Sequence, residues 1–117
     1  NPVTSTIAVN GFSLIPNAVI QEPIFKEYVI LATTTRNRDN DPARNDTDFY
    51  VTKVGADGVE SELTGFTNIF GGTGSERGAA IVQADDGGYV ILGTMLNTNG
   101  KELVVLAKIN SNGELIN

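Results

Sequence analysis

Four aspartates and three asparagines crowd the stretch from Arg36 to Asp48, and no other segment is better supplied to hold a metal ion. Asp39, Asp41, Asp46 and Asp48, with Asn40 and Asn45, offer the hard oxygen ligands that calcium prefers. The order is not that of an EF-hand loop, because the glycine at its sixth position and its closing glutamate are both missing. Arg36, Arg38 and Arg44 also neutralise part of the charge. The favoured reading is a solvated loop with local Asx turns, exposed and more mobile than the strands beside it. A calcium site on Asp39, Asp41, Asp46 and Asp48 is the alternative.

The glycines of 71–78 invite a phosphate-loop reading, which fails on spacing. No G-x-x-x-x-G-K-[ST] is present, G-x-G-x-x-G breaks at Arg77, and no helix follows to offer its N-terminus to an anion. A tight passage between neighbouring sheets explains these glycines better. Asp85 and Asp86 are paired carboxylates, but beside Gly87-Gly88 they serve a hairpin turn. Lys53 and Lys108 stand near the ends of two similar apolar runs, where a lysine snorkels or guards a sheet edge. With no histidine and no cysteine, the chain lacks the commonest general base and the most reactive nucleophile. No cofactor is expected beyond the calcium alternative. Tyr28, Tyr50 and Tyr89 keep a sugar-stacking role open, although there is no tryptophan.

The elements that position these residues come from a repeat. Ala18 to Gln21 recurs as Ala80 to Gln83, an offset of 62; Tyr28 to Thr33 recurs as Tyr89 to Thr94, an offset of 61. Phe49 to Val54 recurs as Val104 to Ile109, an offset of 55, followed by Asp57-Gly58 in one copy and Asn112-Gly113 in the other. Asp-Gly and Asn-Gly are strong hairpin signals, and Asp85-Asp86-Gly87-Gly88 is another. Each copy therefore lays down four short strands. The fourth is Val59 to about Phe70 in the first copy and Glu114 to Asn117 in the second. Val3 to Val9 reads as one more edge strand, with Pro16 and Asn17 as punctuation after it. The runs Tyr28 to Thr33 and Leu103 to Ile109 are apolar on both faces, so both faces of each sheet are expected to be covered. Ile30, Val90, Leu92, Leu103, Val105 and Ile109 are the expected core.

These signals predict an all-β chain of about two four-stranded antiparallel propeller-like blades, with a compact β-sandwich as the alternative. The whole of 1–117 reads as one repeat module, copy one at about 18–70 and copy two, cut short, at about 78–117. A net charge of −6 argues against nucleic-acid binding, and no apolar run approaches the ~20 residues of a membrane-spanning helix. With Asn1 rather than methionine first, the chain is expected to be a processed protein or a piece of a longer one.

The segments Phe70 to Arg77, Asp86 to Gly93 and Ala107 to Leu115 resemble a propeller-type repeat of the delta-60-like or kelch-like kind, found in secreted and surface proteins of Gram-negative bacteria. The likeness covers Ala18 to Asn117 and is weakest at Glu22 to Glu27, which replaces the Asp-Gly-Gly turn. It implies a non-catalytic extracellular or outer-membrane-associated scaffold or binding module, within a larger surface protein or assembly. Protein partners or further repeats would then cover the exposed sheet faces. Two alternatives stand beside it: a calcium- or glycan-binding adhesion module, and an accessory part of a carbohydrate-active enzyme.

Overall fold

The computed structural model describes residues 6–7, 13–35, 47–58, 65–71, 74–97 and 99–116. Seven strands follow one another: β1 (Leu14–Gln21), β2 (Tyr28–Thr34), β3 (Asp48–Val54), β4 (Phe66–Phe70), β5 (Ser75–Gln83), β6 (Tyr89–Leu96) and β7 (Glu102–Ile109). They form two antiparallel sheets, one in the order β1-β2-β3-β4 and one in the order β5-β6-β7. No helix occurs among the described residues. The chain is all-β, with an arrangement compatible with a β-sandwich.

β1 starts earlier than its sequence suggests and takes in Pro16 and Asn17, which read as punctuation. It can do so because it is an edge strand with a bulge there: its register against β2 slips between Pro16 and Ala18. Edges and bulges are where a residue without an N–H donor is tolerated. The second sheet has three strands among the described residues. In place of the expected fourth strand, a single bridge joins Leu115 to Ile109, and the Ile116 amide donates to the Lys108 carbonyl at 2.9 Å. Most of the expected edge strand at 3–9, the start of the expected strand at 59–64 and most of the 36–48 loop lie outside the described residues.

Applied to the two ladders, the sequence offsets make them coincide. The β5–β6 register slips between Gly78 and Ala80, the place equivalent to Pro16 and Ala18 in β1–β2. Leu31 pairs with Val51 as Leu92 pairs with Leu106, and Thr33 pairs with Phe49 as Thr94 pairs with Val104. The turns after the third strands match too. Gly58 donates to Gly55 O at 2.9 Å and Gly113 to Asn110 O at 3.0 Å, both glycines at φ +82°.

The two sheets meet through unlike faces. In the first sheet Val29, Leu31, Phe49 and Val51 point into the interface; in the second, Tyr89, Ile91 and Ile109 do. Counted along the repeat, Val29 and Leu31 are equivalent to Val90 and Leu92, not to Tyr89 and Ile91. The packing is head to tail. Ile81, Phe66 and Phe70 complete the core, and the Phe66 and Tyr89 rings stand 6.2 Å apart across the interface.

This geometry corrects the expected core. Ile109 is fully buried, but Ile30, Val90 and Val105 are half-buried and Leu92 and Leu103 are exposed, at 41% and 37%. An apolar run does not by itself say how many faces of a sheet are covered. Among the described residues, the second sheet is covered on the face carrying Tyr89 and Ile91 and not on the face carrying Leu92 and Leu106.

Candidate functional site

Of the four aspartates proposed for calcium, Asp39, Asp41 and Asp46 lie outside the described residues. Asp48 opens β3 and is fully buried. Its neighbour in space is one that the sequence reading passes over, Glu76 at the start of β5, only 2% exposed. The two carboxylates flank Gly71 so closely that a β-carbon there would collide with Asp48 Oδ1 and sit 2.7 Å from Glu76 Oε2. Both are engaged within the fold. A backbone clasp holds them together: the Glu76 amide donates to the Thr47 carbonyl at 2.8 Å, and the Thr47 hydroxyl donates to the Glu76 carbonyl at 2.6 Å. One signal could have found Glu76. It occupies the repeat position of Leu14, so a charge replaces an apolar residue. Among the described residues no group of three or more acidic, histidine or cysteine side chains is arranged to hold a metal ion.

A second polar cluster lies at the other end of the interface. Lys53 is buried, its ammonium 3.4 Å from Glu27 Oε1 and 5.9 Å from the centroid of the Phe66 ring. The sequence suggests that it snorkels or guards an edge; β3 is an inner strand, which removes the second role, and its Lys53 side shares the face of Val51 and Phe49. Lys108 does stand in the open, its side chain 42% exposed and its ammonium 2.6 Å from Asp86 Oδ2. Each lysine thus takes its carboxylate from the turn between the first two strands of its own sheet.

Those turns solve one problem differently. In the second copy Asp86 Oδ1 accepts from the Gly88 amide at 3.0 Å and Gly87 adopts φ +86°, as the Asp-Asp-Gly-Gly sequence implies. In the first copy the Glu22 carboxylate accepts three amides: Ile24 at 2.9 Å, Phe25 at 2.5 Å and Glu27 at 3.1 Å. Burial alone would raise the Glu22 pKa; the three amides and the nearby Lys53 outweigh it and hold the group below its ordinary value. Burial raises the pKa of Tyr89, against the opposing pull of Lys53.

The third candidate is a surface. On the outer face of the second sheet Val82, Leu92, Val104 and Leu106 lie open, Val104 at 76% and Leu106 at 72% exposure. Leu92 pairs directly with Leu106, and Ala80 lies beside Leu92 on the next strand, so the patch is contiguous. Lys108 and Thr94 border it. Large contiguous apolar patches are uncommon on the surfaces of monomeric proteins.

Comparison with known protein families, with curated proteins and with solved structures found no match.

Proposed function

We propose that this chain is a non-catalytic repeat module, propeller-like in its stacking, that serves as a scaffold or binding surface in a larger extracytoplasmic assembly. The observation that carries it is the head-to-tail contact of the two sheets, which leaves the apolar face of Leu92 and Leu106 open. A closed sandwich brings its two apolar faces together and exhausts them. A head-to-tail stack that has not closed into a ring has an open end, and that end has to be covered in water. The absence of histidine and cysteine from the sequence agrees with a structural role.

Sedimentation of the chain beside a Leu92→Lys, Leu106→Lys variant tests the reading. The parent chain is expected to associate as its concentration rises and to bind an apolar dye, and the variant to lose both while keeping its melting transition. A parent chain that stays monomeric and dye-free throughout would sink it.

A further inference from the structure

We propose that the open face of the second sheet seats another sheet of the same repeat, one that presents glycines in the places of Gly78 and Gly93. The proposal rests on the module reading above and names the partner.

The interface inside the chain shows how such a seat works. Leu31 drops into the space above Gly78, where a β-carbon would lie 2.9 Å from Leu31 Cγ, and the Phe49 ring covers Gly93, where a β-carbon would lie 2.6 Å from Phe49 Cε1. The Thr33 hydroxyl accepts from the Gly78 amide at 3.0 Å. One set of knobs and one hydroxyl on the first sheet therefore meet two glycines on the second.

The open face repeats that set. Leu92 stands at the position of Leu31, Thr94 at that of Thr33 and Val104 at that of Phe49, with the same cross-strand pairings. Val104 is smaller than Phe49, and Leu106, larger than the Val51 it matches, makes up only part of the difference. The matching lysine is there as well, since Lys108 takes the position of Lys53.

The first sheet of a second copy does not fit this seat. Its corresponding face carries Pro16 and Ala32 where the second sheet has Gly78 and Gly93. Ala32, Tyr50 and Val54 on that face are moreover already buried. The occupant has to be a sheet built like the second one.

The experiment extends the full chain with a further copy of residues 71–117 whose own open face is closed to docking by Leu92→Lys and Leu106→Lys, and reads the Leu92 and Leu106 methyl groups of the original second sheet against a soluble paramagnetic reagent. Seating is expected to bring their broadening down to that of the buried Leu31 methyls and to abolish concentration-dependent association. Gly78→Val in the appended copy alone should restore both, because the nearest atoms to that β-carbon lie across the interface and not in its own sheet. An appended sheet that stays unfolded, or that folds while Leu92 and Leu106 remain exposed and the chain still associates, overturns the proposal and leaves the module reading standing. If neither the parent nor the extended chain uses this face for any contact, both fall together.

Discussion

The hydroxyl of Thr33 links the bulge of β1 to the backbone of β5. It donates to Asn17 Oδ1 at 2.8 Å and accepts from the Gly78 amide at 3.0 Å. Asn17 is the extra residue at the β1 bulge, and Gly78 is the residue just before the equivalent bulge in β5. An irregularity in one sheet thus orients the hydroxyl that satisfies the other. A buried amide left without a partner costs roughly 1–3 kcal/mol, more than the net worth of an ordinary hydrogen bond.

Thr33→Val should accordingly destabilise the chain by ~1–3 kcal/mol. Thr94→Val, the same substitution at the equivalent place, should change stability by less than ~0.5 kcal/mol, because its face is open. Urea unfolding of the two variants measures the difference. Equal effects would mean that the two sheets use like faces, contrary to the head-to-tail contact.

Neighbouring residues of the second sheet make the same point through packing. Ile91 is fully buried and Leu106, across from Leu92, is 72% exposed. Ile91→Ala should cost ~2–5 kcal/mol, and Leu106→Ala should stay within ~0.5 kcal/mol of the parent. Thermal or denaturant midpoints decide it, and a large loss at Leu106 would place that side chain in a core.

These contrasts mark where the sequence is legible. Turns are local, so Asp86-Gly87-Gly88 and Asn112-Gly113 announce themselves through residue type alone. The strands can be read too, because their β-branched runs recur in the same order in both copies. Which face is covered depends on the sheet that lies opposite, and no residue in Leu103 to Ile109 states that. Leu92 and Leu103 look like core for this reason. Glu76 escapes notice because its role comes from meeting Asp48 across the two sheets, a contact 28 residues apart in sequence.

Acid should act through Glu22. Its folded-state pKa lies below the ordinary 4.5, so the stability it contributes is fully present above that value. The contribution is lost as pH falls through the lowered folded value. Glu22→Gln keeps the shape of the side chain and its carbonyl acceptor but cannot ionise. Unfolding free energies measured from pH 7 downwards should show the parent losing its advantage over this variant below pH 4.5. A constant difference between the two across the titration would show that the carboxylate charge contributes nothing to the turn.

A close approach of the two sheets gives the sharpest test. A β-carbon on Gly93 would come within 2.6 Å of Phe49 Cε1 and closer still to the Arg77 carbonyl oxygen. Gly93→Ala is therefore an overpacking substitution at the centre of the interface, expected to cost ~1–3 kcal/mol. Phe49→Leu removes the ring that the new methyl would strike and is destabilising by itself, by less than the ~3–5 kcal/mol of a change to alanine. Made together, the two should interfere less than their sum. The Phe49 part of the clash is gone, while the Arg77 carbonyl, in the same sheet as Gly93, still resists. The double-mutant cycle should give a favourable coupling within the ~0.5–3 kcal/mol found for residues in contact. Additivity to within ~0.5 kcal/mol would mean that Phe49 and Gly93 do not touch, and the seat described for Leu31 and Phe49 would have to be abandoned.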